Sequence, residues 1–278
     1  GPLGLAHCVK IAEDFIGRDT FVFYLGDNIL VGGIKGFVEE FKKTRSNCQL
    51  LLAEVPDPER FGQAYLKEGK VVKTVEKPKN PLTNLAITGV YLMDYHAFEA
   101  FHGKDAIKPS ARGELEIPDV FQYLLDHGYL VTAHRVTGWW KDTGKMEDLL
   151  EANRLVLDSF KDGRTHGEVD KESSISGDVK VGKGSQVVRS QIRGPVVIGE
   201  NVTIEDSYVG PYTSIYHNCV IHNSELENSI LLEGAELWDL DQRVDRSLLG
   251  KGARVVKTIT KPRSYNFLIG DQSHVDLV

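Results

Sequence analysis

Apolar positions along the chain follow two different rhythms, and the change falls near Asp158. Before it, short apolar runs alternate with stretches of helical period. Leu5, Cys8, Val9, Ala12, Phe15 and Ile16 fall on one face of a helix. Thr20 to Leu25 is a run rich in β-branched and aromatic residues that stops at the turn signal Gly26-Asp27-Asn28. A helix with Phe37 and Phe41 on one side follows, then a strand from Gln49 to Val55. Further strands are expected from Val71 to Val75, Ile87 to Leu92 and Tyr129 to Val136, with helices from Ile117 to Asp126 and Gly144 to Asp158. Strands alternating with helices predict an α/β unit whose sheet is parallel for the most part.

After Asp158, the charged stretch Lys161 to Glu172 reads as a linker. Beyond it apolar residues recur six apart: Ile175, Val181 and Val187, then Ile192, Ile198 and Ile204, then Val209, Ile215 and Ile221. The trios restart every 17 residues, at Ile175, Ile192, Val209 and Leu226, with Val244 another 18 on. Three flat sides of about six residues make one coil of a parallel β-helix, each apolar residue pointing into the prism. Gly182, Gly199, Gly210 and Gly250 then fall at corners, where glycine tolerates the turn. An alternating β-sandwich does not sustain such a period.

A chain of 278 residues accommodates two domains. Its net charge of −7 leaves no basic footprint for nucleic acid, so an anionic ligand needs locally placed Lys or Arg. Three cysteines without C-x-x-C spacing fit a reducing cytosol better than a disulfide framework. No run is long and apolar enough to span a membrane, and a cytoplasmic protein is expected.

Several segments carry candidate chemistry. Asp27, at the end of a buried strand, offers hard oxygens suited to Mg²⁺, and a plain turn is the competing reading. Asp142, in Trp139-Trp140-Lys141-Asp142-Thr143-Gly144, either caps the helix near Gly144 or shares that cation. In Val75-Glu76-Lys77-Pro78 the proline stops the strand, leaving Glu76 and Lys77 at its exposed end on opposite faces. A carboxylate there can accept two sugar hydroxyls and an ammonium can meet a phosphate; a solvated charged turn is the alternative. Gly62 and Gly89 would let backbone approach a ligand. Arg112 offers a bidentate fork for phosphate, against an ion pair with Glu114 or Glu116.

The order L-G-D-N, R-F-G, V-E-K-P, T-G-V-Y, R-G-E-L-E-I-P-D, W-W-K-D-T-G resembles the long form of the glucose-1-phosphate thymidylyltransferases, across nearly the whole chain. The resemblance implies a Rossmann-like nucleotidyltransferase domain over residues 1–160, a left-handed β-helix over 173–260 and a tail over 261–278. It implies Mg²⁺ on Asp27 and Asp142, hexose contacts from Glu76 and Gly62, and phosphate contacts from Lys77 and Arg112. Asn84, Ile87 and Tyr91 are similar to other sugar-pocket positions, and Pro2 and Gly4 to positions against the base. The implied reaction joins dTTP and glucose-1-phosphate, with UTP as the alternative donor, in a homo-oligomer with neither nucleic-acid nor membrane partners.

The Gly-rich loop, arginine and Pro-Lys pair with which the family begins have no counterpart here. The expectation is that the first strand and phosphate loop are absent, that the domain is completed by another chain, a dimer contact or upstream residues, and that the chain alone does not turn over. Two other classes stay open: a non-catalytic sugar-phosphate-binding or assembly partner, and acyl transfer by the β-helix through His217 or His222.

Overall fold

The computed structural model describes residues 3–161, 163–259, 261, 264–270 and 273–277. The chain divides into two compact units, Gly1–Asp148 and Leu149–Val278.

The first unit is built on a six-stranded sheet. Its elements are α1 (Leu5–Ile11), α2 (Glu13–Ile16), β1 (Phe21–Tyr24), β2 (Asn28–Leu30), α3 (Lys35–Thr44), β3 (Cys48–Glu54), β4 (Gln63–Lys67), β5 (Lys70–Val75), β6 (Leu85–Met93), α4 (Ile117–Asp126), β7 (Val131–Arg135) and β8 (Trp140–Asp142). The sheet order is β5-β4-β6-β3-β7, with β1 also pairing to β6, while β2 and β8 form a separate ribbon. All nine residues of β6 are buried, as befits the central strand. The expectation of a mostly parallel sheet is corrected: β3–β7 is parallel, whereas β1–β6, β3–β6, β4–β5 and β4–β6 are antiparallel. Alternation of strands and helices does not fix direction, because β4 and β5 form a hairpin and β6 returns against β3.

One core lies under α1 and α4, with Leu50, Leu52, Tyr91, Phe98, Phe121 and Leu124. The opposite sheet face packs Leu51, Val90 and Leu92 against Phe41 of α3. The N-terminal helix differs from its predicted face. It breaks at Ala12, Ala6 and Val9 are its buried positions, and Phe15 is 93 % exposed.

The second unit opens with part of α5 (Met146–Ser159) and continues as a parallel β-helix of about five turns. The predicted column is present: Ile175 pairs with Ile192, Ile192 with Val209, Val209 with Leu226 and Leu226 with Val244. A second column runs Val181, Ile198, Ile215, Leu231 and Leu249, and a third runs Val169, Val187, Ile204, Ile221, Leu237 and Val255. The linker reading of 161–172 is corrected, because Thr165 bridges Val181 and Glu168–Val169 already pairs with Gln186–Val187. Most of α5 also belongs to this unit: Asn153 bonds the Ser214 hydroxyl and the Tyr212 carbonyl, at 2.6 and 2.9 Å.

The corner chemistry departs from the expected one. Arg189, Asp206, Asn223 and Asp239 take the left-handed conformations, with φ of 44°, 49°, 43° and 56°. Gly182 serves close stacking instead: a Cβ there would sit 2.1 Å from the Gly199 carbonyl oxygen of the next coil. Corner serines form a ladder in which Ser190 N, Ser207 N and Ser224 N donate to the hydroxyls of Ser173, Ser190 and Ser207, at 3.0, 3.0 and 3.2 Å. Among the described residues, none of 257–277 lies in a helix or strand, and no helix is long and apolar enough to cross a membrane.

Candidate active site

The site lies in the first unit, where strand ends and loops meet. β1 ends at Tyr24, and residues 25–28 close a turn in which Asn28 N donates to the Leu25 carbonyl at 3.2 Å. The chain then re-enters a strand that pairs antiparallel with β8, Asn28 opposite Asp142 and Leu30 opposite Trp140. Thr143 clamps the turn, its N and Oγ1 donating to the Asp27 carbonyl at 2.7 and 2.8 Å. Asp27 and Asp142, 115 positions apart in sequence, are thus brought to neighbouring backbone positions.

A cleft of about 140 Å³ opens beside this ribbon. Gly62, Glu76, Lys77, Ile87, Gly89, Tyr91 and Asp142 line it, so seven of the predicted positions converge there. Glu76 and Lys77 share the cleft, which corrects the expectation of opposite faces. β5 stops at Val75, and Lys77 takes a left-handed φ of 38° that breaks the strand alternation. The Lys77 ammonium lies 3.7 Å from the Glu76 carboxylate. A non-glycine residue in this region before a proline stores strain, which is typical of functional positions. Burial raises the Glu76 carboxyl above its usual 4.5, partly offset by Lys77 and Arg112. Burial first, and the Asp27 charge second, raise the Asp142 carboxyl above its usual 3.8.

Other predicted positions fall elsewhere. The bidentate fork of Arg112 is taken: Nε and Nη2 donate to Glu116 at 3.2 and 2.8 Å, and Nη2 also reaches Glu76 at 3.2 Å. The ion-pair alternative is the arrangement seen here, with Arg112 bridging Glu116 and Glu76. Glu116 is buried and also accepts from the Ser110 hydroxyl at 2.6 Å. Asn84 is exposed before β6, outside the cleft, and its carbonyl accepts from Val55 N at 3.0 Å. Gly4 has a φ of 97° and packs so tightly on the Leu115 backbone that a Cβ would lie 2.4 Å from the Leu115 oxygen. Pro2 lies outside the described residues.

Sequence reading quoted Asn28, Arg60 and Trp140 within motifs but gave them no role. All three line the cleft. Arg60 is held by Asp57 at 2.6 Å, and Trp140 meets Phe61 edge-to-face with centroids 5.3 Å apart. The missed signal was an amide and an indole beside the two candidate carboxylates, side chains that need partners when buried.

The β-helix histidines each have a neighbour. His217 Nδ1 accepts from Glu200 N at 2.7 Å, and His222 Nδ1 lies 3.4 Å from Asp239.

Among the described residues no group of three or more His, Cys, Asp or Glu forms a metal cage. The Asp142 carboxyl, its proton affinity raised first by burial and then by the Asp27 charge, sits on the ribbon beside the Asp27 turn, and such a pair can accept a cation. Mg²⁺ suits such a pair because it takes one or two carboxylates and completes its shell with water and substrate phosphate.

The nucleotidyl transferase family profile matches residues 1–159. A glucose-1-phosphate thymidylyltransferase of Streptomyces griseus is 43 % identical over 277 residues, covering 99 % of this chain and 77 % of that protein. One of the same name from Streptomyces antibioticus is 43 % identical over 278 residues, with the same shares. A low-salt glycan biosynthesis nucleotidyltransferase of Haloferax volcanii is 40 % identical over 280 residues, covering 99 % of this chain and 77 % of that protein. With its α/β unit and parallel β-helix, the chain belongs to the glucose-1-phosphate thymidylyltransferases of the nucleotidyl transferase family.

Proposed function

We infer that this site transfers a thymidylyl group from dTTP to glucose-1-phosphate, giving dTDP-glucose and pyrophosphate. The observation that carries the reading is one small cleft holding Glu76, Lys77 and Gly62 beside Asp142 and, through the ribbon turn, Asp27. The Glu76 carboxylate accepts hexose hydroxyls, and Gly62, Ile87 and Tyr91 form the wall against the ring. Lys77, one of the two cations assigned to the sugar phosphate, meets it here, while Arg112 pairs with Glu116 and Glu76.

A phosphate oxygen of glucose-1-phosphate attacks the α-phosphorus of dTTP. The new P–O bond forms as the bond to the β-phosphate oxygen breaks, and pyrophosphate leaves with that electron pair. No protein nucleophile is needed, so the residues act by position and charge. Asp27 and Asp142 would hold Mg²⁺, which neutralises phosphoryl oxygens when bound.

The test is calorimetric binding of glucose-1-phosphate to the purified chain, with pyrophosphate release followed on adding dTTP or UTP and Mg²⁺. Binding of glucose-1-phosphate that is lost in Glu76→Ala is expected. Undiminished binding in that variant, or release with UTP and not with dTTP, would overturn the reading.

A further inference from the structure

We propose that Asn28 is a positioning residue for this reaction: its amide holds the Asp27 carboxylate in one orientation, so that the cation-binding pair is set before substrate arrives. The proposal rests on the reading that Asp27 and Asp142 hold the cation.

Asn28 is 6 % exposed, and its side chain makes three hydrogen bonds. Nδ2 donates to Asp27 Oδ1 at 2.8 Å. Oδ1 accepts from Gly89 N of β6 at 2.9 Å and from Trp140 Nε1 of β8 at 2.7 Å. The chemistry admits a single orientation of the amide. A backbone N–H and an indole N–H can only donate, and an ionised carboxylate can only accept. The oxygen must therefore face Gly89 and Trp140, and the NH₂ must face Asp27. Turned over, the side chain would set two donors against its own NH₂ and two oxygens against each other.

The amide is also walled in. A Cβ on Gly89 would lie 2.5 Å from Asn28 Nδ2, so a side chain at that position would expel the amide. The indole that supplies the second donor is seated edge-to-face on Phe61, at an interplanar angle of 70°. Phe61 precedes Gly62, whose carbonyl accepts from Ile87 N at 2.7 Å in the sugar wall. The orientation of one carboxylate is thus tied to the central strand, to the ribbon strand bearing Asp142, and to the loop lining the hexose side. Aspartate at position 28 would accept both donors but turn a like charge on Asp27. Leucine would orphan the Gly89 N–H. Asparagine answers all three neighbours.

The competing role is a strut between strands, which would affect folding and leave cation binding alone. Mn²⁺ titrated into the full chain and followed by electron paramagnetic resonance separates the two, alongside thermal melting and glucose-1-phosphate calorimetry. Asp27→Asn is expected to lose Mn²⁺ binding. Asn28→Ala is expected to weaken Mn²⁺ about 10-fold, the scale for removing a group that orients a metal ligand, with a clearly smaller loss of glucose-1-phosphate affinity. Trp140→Phe keeps the ring on Phe61 and removes the indole donor; it is expected to weaken Mn²⁺ in the same direction by less, and it carries the test if Asn28→Ala does not fold. Parental Mn²⁺ affinity in both Asn28→Ala and Trp140→Phe, with Asp27→Asn dead to Mn²⁺, sinks this proposal alone. Equal losses of Mn²⁺ and glucose-1-phosphate in the folded Asn28→Ala and Trp140→Phe variants would show a strut and also overturn it. Parental Mn²⁺ binding by Asp27→Asn removes the cation reading, and this inference with it.

Discussion

The two units of this chain reach their neighbours in opposite ways. In the β-helix, Ile192 sits on Ile175 and under Val209, each 17 residues away, and the same offset recurs through most of the unit. In the α/β unit, Asn28 bonds Gly89 and Trp140, 61 and 112 residues away, and no offset recurs. A stack of coils buries its core by repeating one local rule, so each coil depends on the two beside it. A mixed sheet closes its site only when strands from distant segments are all in place. Chemistry therefore gathers where distant strand ends meet, while the repeat carries ladders of serine hydroxyls and cross-coil ion pairs such as Arg189 with Glu205 and Asp206.

That contrast can be broken most forcefully from the β-helix side. Ile204 is fully buried in the third column. Ile204→Ala removes packed methyl and methylene groups and should cost about 2–5 kcal/mol of the unit's stability. Thermal melting followed by tryptophan fluorescence and calorimetry should show an earlier transition, while glucose-1-phosphate binding measured below that transition stays at the parental value. Loss of sugar-phosphate binding in the folded variant would mean that the repeat contributes to the site.

The complementary substitution is Lys77→Ala. Removing one charge-assisted bond to phosphate should weaken glucose-1-phosphate by about 1.5–3 kcal/mol, roughly 10- to 100-fold in Kd. The melting of the β-helix should not move. Alanine keeps a Cβ at the left-handed φ of 38°, so the backbone strain stays and the stability of the α/β unit should change little. Unchanged affinity would return the phosphate role to another cation of the cleft, with Arg60 the first to test.

The smallest effect is a pH dependence confined to the α/β unit. The Glu76 carboxyl holds its proton to higher pH in the folded chain than its usual 4.5, chiefly through burial. As pH falls through that raised value, the carboxylate is lost and glucose-1-phosphate binding should weaken earlier than for an ordinary glutamate. The stability term has the opposite sense. Because the folded state binds more protons than the unfolded state between the two values, stability contributed by this group falls as pH rises through that window and is flat above it. Glu76→Gln should remove this group's share of both pH dependences. Calorimetric titrations and melts across the mildly acidic range would check it, and a binding midpoint at or below the ordinary glutamate value would contradict the burial argument.

Much of this architecture is legible without coordinates. The 17-residue restart at Ile175, Ile192, Val209 and Leu226 specifies the prism, because each side of a coil is short and its inward residue must recur at the same phase. Strong apolar runs likewise mark β3 and β6, and the helical pattern marks α4 at Ile117–Asp126. The motifs also identify the segments that form the cleft. Local pattern is silent on the rest. Strand direction in the sheet depends on which edges meet, so the antiparallel pairing of β6 with β1 and β3 is a tertiary outcome. The left-handed turn at Lys77 that puts it beside Glu76, the closing of the Arg112 fork on Glu116 and the three-way satisfaction of Asn28 are also decided there. The reason is common to all four. A backbone edge or polar side chain can pair with any of many donors and acceptors along the chain, and only packing selects the partner that leaves none of them buried and alone.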